Sequence, residues 1–357
     1  MKVAILGSGN GGCAAAADWS LAGHEVRLFD FPEFTEQVSV ISQKGGVTIT
    51  GELEGFAPVH YIGHSIEEAL TGAELILAIG PAYSSESFAN AVKGIITDDQ
   101  VYIVCPGSMG GALITKRIFN TTPNAKDVCV GETATLPYAT RLNEPGSVHV
   151  FLKLKGGLLL STIPASENDR VLAMLQQVYP GMDKAKNVLQ TMLQNANPVI
   201  HPTVTLLNAG LIERTHGDFL FYEEGVTPAV GKLLKAVDTE RIRLGEKLGV
   251  DLMMDAKMGV IQGYMTDDSY ETGYATAPGF RGIKAQSQLD HRYLNEDVGY
   301  GLVFMSELAR QVGVETPMID SVIHIASAIM ERDYRGEALR TLDSIGYTLD
   351  EILEEKF

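Results

Sequence analysis

Lys2-Val3-Ala4-Ile5-Leu6-Gly7-Ser8-Gly9-Asn10-Gly11-Gly12 runs an apolar segment straight into a glycine cluster, and its reading decides the fold. The apolar residues have the look of a buried strand, and Gly7, Gly9 and Gly12 stand in G-x-G-x-x-G spacing. An alanine-rich helix follows over residues 12–21, then a second strand at Glu25–Phe29, then Asp30, 18 residues beyond Gly12. With 37 glycines in the chain, the spacing alone would carry little. Strand, glycine turn, helix, strand and terminal carboxylate in that order form the dinucleotide-binding fingerprint of a Rossmann fold.

Each residue in the fingerprint has a physical task. Gly7 permits the tight turn, Gly9 lets the backbone approach a pyrophosphate, and Gly12 lets the helix pack closely on the strand. With Ser8, Asn10 and Gly11 they frame a helix N-terminus whose N–H groups and partial positive charge suit phosphate. Asp30 is placed to accept hydrogen bonds from ribose hydroxyls and to repel a 2'-phosphate, and Phe31-Pro32-Glu33 after it offer no cation in compensation. NAD is therefore expected and NADP is the lesser alternative. Pro81, just beyond the apolar run 74–79, joins the expected cofactor contacts.

Outward from this unit, strand-like runs at 74–79, Val101–Val104 and 128–131 alternate with helical stretches at 84–92 and 109–119, the rhythm of a doubly wound, mostly parallel α/β sheet. Residues 45–62 read as a small hairpin insertion. Residues 147–162, split by Gly156-Gly157, read as two strands closing the sheet with an antiparallel edge. The β pattern stops after about Val188, which divides the chain into a Rossmann domain over 1–187 and an all-α substrate domain over 188–357. There, Thr227-Pro228 opens a long amphipathic helix ended by Gly249, with further helices at 302–312 and 317–332. Thr348 and Glu351 spell a capping box. The Gly, Thr, Asp and Tyr-rich stretch 266–285 breaks the helical pattern and is expected near a substrate. Tyr264, Tyr270 and Tyr274 within and beside it read as core.

Composition bounds the function. Apolar residues at 45% and charged residues at 20% describe a folded globular chain. The net charge of -17, with no basic patch, argues against a nucleic-acid or membrane-surface partner. Anionic ligands must then be held by a few local cations and backbone N–H groups. Cys13, Cys105 and Cys129 are scattered and odd in number, which suits buried thiols better than a disulfide framework or a metal site. The first residues show no secretory leader, so the cytoplasm is the expected location.

Three further segments are specific: Asn197-Pro198-Val199-Ile200-His201-Pro202 with Thr205-Leu206-Leu207-Asn208; Glu224-Gly225-Val226-Thr227-Pro228-Ala229-Val230-Gly231; and Arg292-Tyr293-Leu294-Asn295-Glu296-Asp297 with Gly301-Leu302-Val303. Together with Cys105-Pro106-Gly107-Ser108-Met109-Gly110-Gly111 and Gly131-Glu132-Thr133, they resemble the octopine and opine dehydrogenase family along nearly the whole chain. The resemblance implies an NADH-dependent reductive joining of a 2-keto acid, such as pyruvate, to the amino group of an amino acid or amine, reversible by oxidation. It also implies a catalytic His201–Asp297 pair, substrate contacts at Arg292 and Thr133, and by analogy a homodimer joined through the helical half. Where many members read Asp-Val-Pro, this chain reads Asp297-Val298-Gly299, a departure expected to loosen the backbone there and to bear on specificity.

The residue chemistry agrees with that implication. Imine formation and reduction need a proton handler near neutral pH, which histidine supplies. A carboxylate on one imidazole nitrogen fixes the tautomer. A guanidinium grips a substrate carboxylate with both arms, and Arg281 is a second candidate beside Arg292. Taken alone, His201 is more often a helix-end or core residue, Asp297 also reads as a helix cap, and Arg281 as a solvated loop charge. Two other functions share the domain plan: a reductase of 2-keto or 3-hydroxy acids that needs no amine, and a regulatory protein that binds NAD without turnover.

Overall fold

The opening apolar run forms β1 (Lys2–Leu6), whose residues Val3 to Leu6 are completely buried. β2 (Glu25–Phe29) pairs with it on one side, and on the other lies the strand Leu75–Ala78; both pairings are parallel. The structure, a computed structural model, describes residues 1–357 and falls into two units, Met1–Thr191 with Phe357, and Met192–Lys356.

In the first unit the chain adds β3 (Gly46–Gly51), β4 (Gly55–Pro58), β5 (Tyr61–Gly63), β6 (Leu75–Ala78), β7 (Val101–Val104), β8 (Cys129–Thr133), β9 (Tyr138–Glu144), β10 (Ser147–Lys153), β11 (Leu158–Ile163) and β12 (Met182–Lys184). Eight strands make the main sheet in the order β12-β11-β8-β7-β6-β1-β2-β5, and four make a second sheet, β4-β3-β10-β9. The chain builds outward from β1 through β2 to β5, then returns to lay down β6, β7 and β8 on the far side. The carboxyl ends of β1 and β6 therefore diverge, which is where open α/β sheets bind ligands.

Helix α1 (Asn10–Leu21) packs on β1 and β2 and also meets β3, β4, β9 and β10 of the second sheet. Sheets on both sides explain why Cys13 and Ala14 to Ala17 are small and wholly buried. At its end, Trp19 Nε1 donates to the Tyr179 hydroxyl at 2.9 Å. Asp18 accepts from the Tyr138 hydroxyl and pairs with Lys153 Nζ, both at 2.7 Å. These bonds fasten the helix to later parts of its unit.

Two expectations for this unit need correction. Within residues 45–62, β3 and β4 do form an antiparallel hairpin, but it belongs to the second sheet, and β5 crosses to the main sheet as a parallel neighbour of β2. Nor do the two strands of 147–162 close the main sheet. β10 joins the second sheet, antiparallel to β9 and parallel to β3. β11 is antiparallel to β8 but lies inside the edge made by β12. The burial patterns give the reason: β10 alternates buried Val148, Val150 and Leu152 with more open His149 and Phe151, as a sheet covered on one face requires, whereas β11 is buried nearly throughout.

In the second unit the helix Asn197–Leu207 is central, packed against the helices Pro228–Lys247 and Pro317–Met330 and against residues 292–302. Thr227 caps Pro228–Lys247 by accepting from Val230 N, and Gly249 follows its end with φ +72°. The Thr348–Glu351 capping box is present. β structure is reduced to one isolated bridge, Leu220 to Lys284. No helix is long and apolar enough to cross a membrane.

The helix expected at 302–312 starts ten residues earlier, as α-helical Arg292–Glu296, a wide π turn Asp297–Leu302 and α-helical Val303–Gln311 in unbroken succession. Asp297 and Gly299 therefore lie inside a helix, and Asp297 is no N-terminal cap. A Cβ on Gly299 would meet Leu339 Cδ1 at 3.0 Å, and one on Gly301 would lie 2.5 Å from Pro198 Cγ. Gly301 thus lets the π turn abut the start of the central helix.

A buried ionic knot secures the stretch 266–285. Wholly buried Arg241 donates to Asp238 at 2.6 Å and to the carbonyls of Leu193 and Met253 at 2.7 and 2.8 Å. Tyr270 donates to the same Asp238, and Tyr274 donates to Asp255 at 2.5 Å. Removal from water, reinforced by the nearby Asp238 charge, pushes the Asp255 carboxyl up to about 6.

Candidate active site

The glycine turn sits at the divergence of β1 and β6. Gly7 has φ +107°, and a Cβ there would lie 2.3 Å from the Ile79 carbonyl oxygen. On Gly12 a Cβ would come within 1.8 Å of the Gly7 carbonyl oxygen, so helix and strand touch backbone to backbone. A Cβ on Gly9 would meet nothing within 4 Å. No side chain caps this end of α1 and no acid lies in its first turn, while Asn10 turns its Oδ1 to Leu142 N at 2.8 Å. Gly11 faces Leu136 and Ile79. The open backbone at Gly9 and the uncapped positive helix end fit a pyrophosphate.

Asp30 is buried at the end of β2. Its Oδ2 accepts from both the Ser8 backbone N–H and the Ser8 hydroxyl at 2.6 Å, and Oδ1 accepts from Phe31 N at 2.8 Å. The carboxylate expected to meet a ribose thus also braces the glycine turn. Pro81 follows β6 and opens a short helical turn, its carbonyl accepting from Ser84 N and Oγ at 2.9 and 2.8 Å. Thr133, at the end of β8, is buried and donates its hydroxyl to the Thr135 carbonyl at 2.9 Å, with Cys105 Sγ at 3.3 Å. Its neighbour Glu132 is completely buried and accepts from Ala112 N at 3.0 Å and the Thr191 hydroxyl at 2.8 Å.

In the helical unit His201 and Asp297, 96 residues apart, are brought together: His201 Nδ1 lies 2.8 Å from Asp297 Oδ2. His201 lies in the central helix rather than at its end, and Pro202 beside it leaves the Pro198 carbonyl without its helical partner. Tyr293 stacks on the imidazole with centroids 3.9 Å apart and 18° between planes, and Phe221 meets it edge-on. At Nε2 stands the Tyr222 hydroxyl, 3.3 Å away. Both pair members are mostly buried, at 12% and 8% side-chain exposure, which strengthens their interaction over that of a surface pair.

Arg292 lies on the same helical run as Asp297 and is half-exposed, with its guanidinium 2.9 Å from buried Glu296. Arg281 is exposed in a loop. Of the expected substrate contacts, then, His201, Asp297 and Arg292 share one unit, and Thr133 belongs to the other.

Sequence reasoning did not single out Tyr222, Tyr293 or Glu296. Tyr293 and Glu296 stand inside the Arg292 to Asp297 motif, and their helical spacing was the available signal. Tyr222 lies 21 residues from His201 in an irregular segment and had no such signal.

Residues 184–330 match the family described as NAD/NADP octopine/nopaline dehydrogenase, alpha-helical domain. An opine dehydrogenase from Arthrobacter sp. (strain 1C) is 35% identical over 351 residues, spanning 96% of this chain and 94% of that protein. Two solved structures of octopine dehydrogenase share the fold: one with NADH and L-arginine, TM-score 0.80 at 21% identity, and one with NADH and pyruvate, TM-score 0.78 at 22%; each comparison covers 99% of this chain and 98% of the other. The extent of these matches, on a chain with a Rossmann turn and a His–Asp pair in a helical unit, shows that it belongs to the octopine and opine dehydrogenase family.

Proposed function

We propose that the protein is an NADH-dependent opine dehydrogenase that condenses a 2-keto acid with the amino group of an amino acid or amine through an imine, and oxidises the product in reverse. The observation that carries this reading is the 2.8 Å contact between His201 Nδ1 and Asp297 Oδ2. The turn from Gly7 to Gly12 and Asp30 would hold NADH, with the carboxylate favouring it over NADPH. When bound, the cofactor supplies a hydride for the imine carbon.

The rest of the chemistry is proton handling and anion binding. The keto oxygen departs as water when the amine nitrogen replaces it, and reduction of C=N then needs a proton at nitrogen. His201 Nδ1 is committed to Asp297, so protons enter and leave at Nε2. Arg292 grips the keto-acid carboxylate through its guanidinium. Thr133 contributes through its acceptor lone pairs, because its proton is engaged by Thr135. The reading includes a cytoplasmic location, in keeping with three buried free thiols, and a homodimer formed through the helical unit, whose helix Pro317–Met330 exposes Ile325 and Ile329.

NADH absorbance tests the proposal with pyruvate alone and with pyruvate plus a panel of amino acids and amines. Oxidation should be slow with pyruvate and accelerate with the right amine. Equal rates without amine would make the protein a keto-acid reductase. NADH binding with no consumption across the panel would make it a nucleotide sensor. Light scattering on the eluting protein reads the dimer.

A further inference from the structure

Resting on the acid-base role proposed for His201, we infer that Tyr222 is a positioning residue for this reaction: its hydroxyl holds Nε2 of the imidazole, the nitrogen through which the ring exchanges its proton. The ring has two bonded nitrogens, Nδ1 to Asp297 at 2.8 Å and Nε2 to the Tyr222 hydroxyl at 3.3 Å. The nitrogen that must serve the substrate is thus already met by a protein hydroxyl.

Tyr222 is held in place as a rigid part. Its ring stacks on Phe280 with centroids 4.1 Å apart and 14° between planes, and Phe221 packs against it edge-on at 5.0 Å and 86°. Phe280 in turn stacks on Tyr264 at 4.8 Å. The Tyr222 carbonyl accepts from Val226 N at 3.1 Å. The segment 266–285 therefore bears on the imidazole through Phe280 and Tyr222, and the ionic knot at Arg241 holds that segment.

The direction of the effect follows from donor and acceptor strength. A phenol, with an ordinary pKa near 10, donates a hydrogen bond better than water does and accepts one less well. Bonding at Nε2 by a phenol instead of water therefore favours the neutral imidazole, since only the neutral ring accepts there. The groups against the ring are Asp297 at Nδ1, Tyr222 at Nε2, the face of Tyr293 and the edge of Phe221. No side chain of the packed helices Pro228–Lys247 and Pro317–Met330 bonds or pairs with it.

Tyr222→Phe keeps the stacking and removes the hydroxyl. In the oxidative direction, where His201 starts as a base, the acidic limb of the kcat/KM profile should move to higher pH by about half to one unit, the size of one hydrogen bond's difference between protonation states. In the reductive direction the basic limb should move up by a similar amount. A merely structural role would lower the rate at every pH and leave both limbs where they are. Limbs in the Phe variant that coincide with those of the wild type would overturn the inference. His201→Ala, assayed alongside, separates the two claims: near wild-type turnover there defeats the acid-base role itself, whereas an inactive His201→Ala with unshifted Tyr222→Phe limbs defeats only the part given to Tyr222. Near-ultraviolet circular dichroism of Tyr222→Phe verifies that the aromatic stack is intact, and Tyr222→Leu, which loses the stack as well, should show the same shift with a larger fall in kcat.

Discussion

Arg292 and Glu296 face each other one helical turn apart, with the guanidinium of the first 2.9 Å from a carboxylate oxygen of the second. The arginine is half-exposed and the glutamate buried, so the acid is the fixed member and the base the one it aims. Arg292→Ala should raise KM for the keto acid about 10- to 100-fold, the worth of a charged hydrogen bond to a carboxylate. Glu296→Gln should raise it only a few fold, because the guanidinium remains but is less well directed. Steady-state kinetics at saturating NADH and amine check both. An unchanged keto-acid KM in Arg292→Ala would require another anchor.

His201→Ala should keep NADH affinity, read by fluorescence titration, and lose about 10² to 10⁴ in turnover, the usual weight of a positioned acid-base group. Asp297→Asn should fall in the same direction with the fold intact, because an amide can present the wrong partner to Nδ1 and leave the ring in the wrong tautomer.

Asp30→Ala should lower the preference for NADH over NADPH by about tenfold or more, counted as the ratio of kcat/KM values, since the charge that repels a 2'-phosphate is gone. Because the carboxylate also binds Ser8 N and Oγ, KM for NADH should rise as well. A retained ratio would show that the discrimination lies elsewhere.

Gly301→Ala tests how the His–Asp pair is held. The new Cβ would lie 2.5 Å from Pro198 Cγ, three residues before His201, and must push the π turn away from the central helix. Overpacking of this kind costs about 1–3 kcal/mol. Turnover should fall through kcat while KM for NADH stays level, and urea unfolding should report the lost stability.

Asp255 links stability to pH. Its folded carboxyl is raised from 3.8 to about 6, so the folded state binds more protons than the unfolded state between those values. Its contribution is fully present below about 4 and is lost as pH rises to about 6. Relative to the wild type, Asp255→Asn should be level near pH 4 and more stable by up to about 3 kcal/mol at pH 8. Urea unfolding midpoints at the two pH values provide the measurement.

Much of this was legible in the chain and some was not, for identifiable reasons. The turn from Gly7 to Gly12, α1 and Asp30 are contiguous, so their order alone reveals them. Thr227-Pro228 and Thr348 with Glu351 mark helix starts through local capping chemistry. By contrast, β10 joins β3 in parallel across about a hundred residues, and β5 has only three residues, too short for any alternation to register. Asn295-Glu296-Asp297 carries the side chains of a helix cap, which hid a helix already under way from Arg292. The tyrosines Tyr270 and Tyr274 read correctly as buried and Tyr264 is half-buried, yet burial says nothing of the carboxylates that Tyr270 and Tyr274 bond or of the aromatic stack that leads from Tyr264 to Tyr222.

A π turn is the form an ordinary helix takes when it absorbs one additional residue without breaking its ladder. Removing a single residue between 298 and 302 would accordingly mend the helix and leave its two ends facing the sides they face now, while the residues inside the turn shift by up to about 100°. The shortened helix would be regular, but the residues left within the turn would change side, and Gly301 would no longer lie against Pro198. At this place the chain's length specifies the seam with the central helix as firmly as the identity of any side chain, and a deletion that improves local geometry would spoil the fit.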